Sequence, residues 1–113
     1  MRASPELATS EWVRVMCDYR CDGIWDHEGL SRSVDELPIS GTLKDRLLAW
    51  QAWFDVLDDQ AAEEQTAVPL ATWQAFVAAG LAVARDLKRE LPDWTVLYFD
   101  EIERRTKGPI ESA

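Results

Sequence analysis

The densest run of groups able to do chemistry is CDYRCDGIWDHE, where Cys17, Asp18, Cys21, Asp22, Asp26, His27 and Glu28 fall close together. Carboxylates beside an imidazole can ligate a divalent cation or pass protons, and a thiolate beside an imidazole can act as a nucleophile. The spacing matches neither an EF-hand loop nor a zincin helix. Tetrahedral zinc takes four ligands, usually from paired cysteine knuckles, and this chain has two cysteines and one histidine. Gly23 and Gly29 stand apart, so no glycine loop can cradle a phosphate, and no GxSxG or HExxH occurs. The expectation is therefore no catalytic residue, no metal and no cofactor. The run reads as a solvated acidic loop that follows a buried strand cysteine. The alternative is a small metal-binding or catalytic protein using Asp18–Glu28.

A second signal is the placement of charge. The chain has 113 residues, with 21 acidic against 12 basic, a net charge of −9 and a pI near 4.5. Nucleic acid needs a basic surface and anionic membranes attract basic segments, so both are excluded as direct ligands. A basic protein partner fits, because opposite fields speed encounter. Between Arg46 and Arg85 there is no lysine or arginine, yet the stretch holds Asp55, Asp58, Asp59, Glu63 and Glu64. The first three fall in the expected last turns of a helix, where the macrodipole disfavours anions by a few tenths of a kcal/mol each (about 0.3–1 at most). A local rule broken without visible compensation points to function. Trp25, an aromatic ringed by acids, would make a hot spot for a basic partner. The candidate partner-binding residues are thus Asp22, Trp25, Asp26 and Glu28 in the loop, with Asp55, Asp58, Asp59, Glu63 and Glu64.

These residues must be held by a small set of elements. Residues 12–19 alternate, with Val13, Val15, Cys17 and Tyr19 on one face, as in a half-buried strand. Residues 20–38 form a long connection; Ser33 and Glu36 fit a capping box around one helical turn, and a short strand can form near Ile24–Trp25. Ser40 caps a helix from about 41 to about 60, with Leu43, Leu47, Trp50, Phe54 and Leu57 on one stripe. Pro69 opens a second helix carrying Trp73, Phe76, Val77, Gly80, Leu81, Ala84, Leu87 and Leu91. Gly80 costs about 1 kcal/mol relative to alanine inside a helix, and close packing of the two helices would compensate.

Pro92 ends that helix, and Trp94–Phe99 reads as a strand that is apolar on both faces and so lies inside a sheet or is covered twice. Arg104, Arg105 and Lys107 look solvated. The fold class is α+β: strand, long loop, helix, helix, strand, with a two- to three-stranded sheet on a two-helix hairpin. If the first helix starts where the first strand ends, the two main strands run antiparallel. One domain spans 1–113, with loose ends at 1–10 and 104–113. No signal peptide or membrane-spanning run is visible, which with two cysteines suggests a soluble, reducing, cytoplasmic setting.

The stretches VRVMCDYRCDGIWD and DELPISGTLKDRLLAWQAWFD resemble a group of small acidic bacterial proteins of uncharacterised function. Their pattern is a strand ending in Asp-Tyr, a tryptophan-bearing loop, then Leu-Pro-hydrophobic-Ser opening a helix with a tryptophan. Here these are Asp18, Tyr19, Trp25, Leu37, Pro38, Ser40 and Trp50, covering roughly the first half of the chain. In size and charge such proteins are similar to immunity proteins that neutralise basic nuclease or other toxins. The resemblance implies a binding module of immunity or antitoxin type whose partner is a basic protein, a toxin encoded nearby, and it leaves open whether the chain is also an enzyme. A homodimeric structural subunit that pairs sheet edges is the remaining reading.

Overall fold

A computed structural model describes residues 7–63 and 68–111. A short helix α1 (Leu7–Ser10) buries Leu7 beneath the first strand, β1 (Trp12–Val15), in which Val13 and Val15 lie wholly inside. The strand stops at Val15 rather than continuing to Tyr19. The Met16 amide donates to the Gly23 carbonyl (2.9 Å), and the chain turns through positive φ at Arg20 (52°) and Gly23 (87°). A side chain at Gly23 would press on Leu47, 3.0 Å from its Cβ position, so glycine suits both the backbone and the space. Cys17 still turns inward, but Tyr19 ends on the surface.

The long connection is ordered. Its second half returns as β2 (Ile24–Trp25), antiparallel to β1 with Arg14 opposite Trp25. A 3-10 turn (Val34–Glu36) follows, with the expected capping box between Ser33 and Glu36. Arg32 ties the two pieces together, bonding Asp26 at 3.0 Å and Glu36 at 2.6 Å.

Ser40 then caps α2 (Gly41–Glu63): its hydroxyl oxygen accepts from the Leu43 amide at 3.2 Å. All five predicted stripe residues of α2 are buried. α3 (Leu70–Glu90) returns alongside, and Glu90 accepts from Ser40, which clasps the end of α3 to the start of α2. The tryptophan of α2 explains the glycine of α3. A Cβ at Gly80 would lie 2.3 Å from Cζ2 of Trp50, whose Nε1 donates to the Phe76 carbonyl at 3.1 Å while its ring stacks on Phe76.

β3 (Thr95–Asp100) closes the fold against β1, and β4 (Arg105–Lys107) folds back on it. The sheet has four strands in the order β2-β1-β3-β4, more than the two or three expected. β1 and β3 are parallel, Val13 level with Val96 and Val15 with Tyr98, not antiparallel. The reason is where α2 starts. The connection reverses at β2 and again at Ser31, which pairs with Trp25, and Ser40 is then clasped to Glu90 beside the entry to β3. So α2 begins at the end where β1 begins, and the helical hairpin brings β3 back in the direction of β1. Residues 105–107, expected to be loose and solvated, form an antiparallel edge against Tyr98–Asp100. Asp100 holds that turn, accepting from the amides of Ile102 (2.8 Å) and Glu103 (2.9 Å) and pairing with Lys107 at 3.2 Å. The helices pack on the face carrying Val13, Val15, Val96 and Tyr98, all buried. The opposite face carries Trp12, Arg14, Trp25, Leu97 and Phe99, which are only half-buried.

Candidate partner-binding surface

Because β1 and β3 are parallel, their C-terminal ends lie side by side, and the last turns of α2 reach the same end of the molecule. The loop after β1 is bonded to α2 there. Gln51, itself buried, donates from Nε2 to the Asp18 carbonyl (2.7 Å) and to Asp55 (3.2 Å), and its Oε1 lies 3.4 Å from the Cys21 thiol. The Tyr19 hydroxyl donates to Asp58, and this bond together with the Asp58 charge raises the phenol above its ordinary pKa.

Beside this junction opens a cleft of about 410 Å³, lined by Phe54, Asp58, Leu70, Trp73, Glu101, Ile102 and Arg104. Its rim is apolar and exposed, Leu70 at 61% and Ile102 at 42%. Burial pushes the Glu101 carboxyl above its usual range, and Asp18 and Asp100 add to this, while Arg104, 3.1 Å away, works against it. A half-buried carboxylate with one exposed counter-ion, beside a second carboxylate and an aromatic floor, suits the alkyl stem and charged head of a lysine or arginine.

The predicted residues divide. Asp55, Asp58 and Asp59 come to this end, with Asp58 at the cleft and the other two exposed. The Glu63 side chain and Glu64 lie outside the described residues. α2 runs to Glu63, past the expected end near 60, so the three aspartates sit farther from its terminus, where the dipole is weaker. Gln51 and Tyr19 also give two of them donors, so the sequence rule is less badly broken than it looked.

The loop residues are mostly engaged within the protein. Asp22 accepts from the Val34 amide at 3.0 Å. Asp26, 5% exposed, takes the amides of Glu28 and Leu30 and the Arg32 guanidinium; burial opposes its charge, but these donors hold it below the usual carboxylate range. Trp25 is half-buried and donates from Nε1 to the Met16 carbonyl at 2.9 Å. Glu28 alone of this group is free at the surface, 3.8 Å from His27. Among the described residues, no three of His, Cys, Asp and Glu are placed to hold a metal ion. Cys17 is buried, and its thiol is pushed far up by burial and neighbouring acids, the opposite of an activated nucleophile.

Sequence reading missed Tyr19, Leu70, Trp73, Glu101, Ile102 and Arg104 as members of one surface. Asp100, with its turn-forming carboxylate, was the available sign that the final segment folds back.

The family model described as Serratia CdiI immunity protein-like matches residues 11–101, from the approach to β1 through the end of β3. The chain belongs to this family of immunity protein-like chains. The match covers every element that builds the acidic end except the 102–107 turn and edge strand. A search of the curated proteins found no match. No helix among the described residues is long and apolar enough to cross a membrane.

Proposed function

We propose that this chain is an immunity protein that binds a toxin domain and blocks it, meeting a basic patch of the toxin with its acidic end. Family membership supports the class. The observation that carries the location is the cleft in which Asp58 and Glu101 face an apolar floor of Phe54 and Trp73. A lysine or arginine of the toxin enters it, with Asp55, Asp59 and Tyr19 around the entrance. Glu63 and Glu64 follow these aspartates in the sequence and add negative charge, and Glu28, near the start of β1, contributes only to the net charge that steers encounter. Asp22, Trp25 and Asp26 act behind this surface by shaping the loop. The net charge of −9 steers encounter with a basic partner and makes association fast at low salt. Inhibition follows from occlusion, so no catalytic group of this chain is needed. The two free cysteines suit a reducing compartment, and we place the protein in the cytoplasm.

The test is direct. The toxin encoded beside this gene is inactivated at its catalytic residue, purified, and titrated with this chain by calorimetry. A one-to-one complex is expected whose affinity falls about tenfold or more for Asp58→Lys, and whose association slows with salt. Absence of a complex, together with undiminished killing of cells that express this chain by the active toxin, would overturn the reading.

A further inference from the structure

Among the described residues, the helices pack on one face of the sheet only, and the other face carries an arginine in no ion pair. Arg14 stands at its centre, between Trp25 of β2 and Leu97 of β3. Its Nε is buried and has no hydrogen-bond partner among the described residues. None of the ion pairs among the described residues includes it, in a chain with 21 carboxylates. Arg32 shows how the same fold treats a comparable guanidinium: at 12% side-chain exposure it is held by two carboxylates. Buried donors without an acceptor are rare in finished structures and call for an explanation.

The surroundings are equally particular. Trp12, Trp25, Leu97 and Phe99 share the face with Arg14, and Arg104, the counter-ion of Glu101, lies over the Phe99 ring at 5.7 Å. Thr95 stands opposite Trp12 and Thr106 opposite Phe99. His27 meets the edge of Trp12. Aromatic residues with arginine at the centre are the composition of interface hot spots, and lysine and the acids are depleted from such patches.

We infer that this sheet face is a second contact surface for the toxin domain, and that it takes a segment presenting an aspartate or glutamate flanked by apolar side chains. The inference rests on the immunity reading for its partner and on charge complementarity for its chemistry. The carboxylate bonds to Arg14 and supplies the acceptor its Nε lacks, while the apolar flanks cover Trp25, Leu97 and Phe99. A second copy of this chain is a poor occupant. A two-fold contact through this face would set Arg14 against Arg14 and bring together two chains of charge −9.

The experiment uses the full chain and the inactivated toxin domain. Arg14→Met keeps the stem and loses no ion pair, so it should melt no lower than the wild type; its affinity for the toxin should fall about tenfold, and that of Arg14→Glu about a hundredfold or more. Oxidative footprinting of the wild type needs no variant: Trp12 and Trp25 should react more slowly in the complex than alone. Wild-type affinity in both Arg14 variants, or unchanged oxidation of both tryptophans, overturns the inference while leaving the immunity reading intact. A wild-type dimer that Arg14→Glu dissociates also overturns it, since the occupant is then a second copy. If the wild-type chain and the toxin do not associate at all, both readings fall together.

Discussion

The Tyr19 hydroxyl donates to the Asp58 carboxylate, fastening the loop after β1 to the far end of α2. This bond makes one surface of residues that lie in separate parts of the sequence. The chain has two tyrosines; burial pushes Tyr98 far up, so the first phenol to ionise is Tyr19. Asp58→Ala removes both the acceptor and the charge that raise its pKa. Spectrophotometric titration should then show the first tyrosinate transition at lower pH than in the wild type. An unchanged transition would show that the two side chains are apart in solution.

Gly80→Ala sets two effects against each other. Alanine gains about 1 kcal/mol of helix propensity. The added Cβ, however, would lie 2.3 Å from Trp50 and 2.9 Å from Tyr98, both ring atoms in a packed core. Overpacking costs about 1–3 kcal/mol, so urea denaturation should show a net loss. Combining it with Trp50→Leu should cost less than the sum of the two single changes, because the clash is shared.

Arg32 holds two carboxylates whose pKa values lie below the usual range: Glu36 chiefly through its bonds to Arg32, and Asp26 through Leu30, Arg32 and Glu28 despite burial. A lowered folded pKa contributes stability above the unfolded value, about 4, and that stability is lost as pH falls through the folded value. Arg32→Met should therefore destabilise the protein at neutral pH by at least about 2 kcal/mol, since Asp26 stays buried without its cation. It should also flatten the acid limb of the stability curve. Equal acid limbs in variant and wild type would mean that the cluster is not what acid titrates.

Glu101 has the opposite sign. Its folded pKa is raised by burial, so stability declines as pH rises from the ordinary glutamate value, about 4.3, through the folded value, and the deficit persists above it. The charged groups facing it are Asp18, Asp100 and Arg104. Glu101→Gln should melt higher than the wild type at pH 7 yet bind the toxin more weakly, a trade common at functional sites. A variant that is both more stable and equally tight in binding would remove Glu101 from the proposed interface.

The helices were legible because their stripes are long: Leu43 to Leu57 and Phe76 to Leu91 repeat over several turns, and the small Gly80 marked the close approach. The Ser33–Glu36 turn was legible because a capping box is local chemistry. β4 and the parallel pairing were not, since three residues with no apolar pattern and a two-residue reversing strand leave little periodic signal. The surface was half legible. The charge gap from 47 to 84 marked Asp55 and Asp58, but Glu101 and Arg104 join them only through the sheet. Asp26 looked like a surface acid because sequence does not show that Arg32 closes over it.

The parallel pairing of β1 and β3 also sets a schedule. A chain emerging from the ribosome offers β1 first, and its inner edge waits for Tyr98 to appear level with Val15. Until then neither the sheet nor the Glu101 side of the cleft exists. Under the immunity reading, a nascent or interrupted chain confers nothing, and resistance rises only with the supply of finished molecules. A host must therefore keep a reserve of completed protein ahead of any toxin, and slowed translation would expose it first.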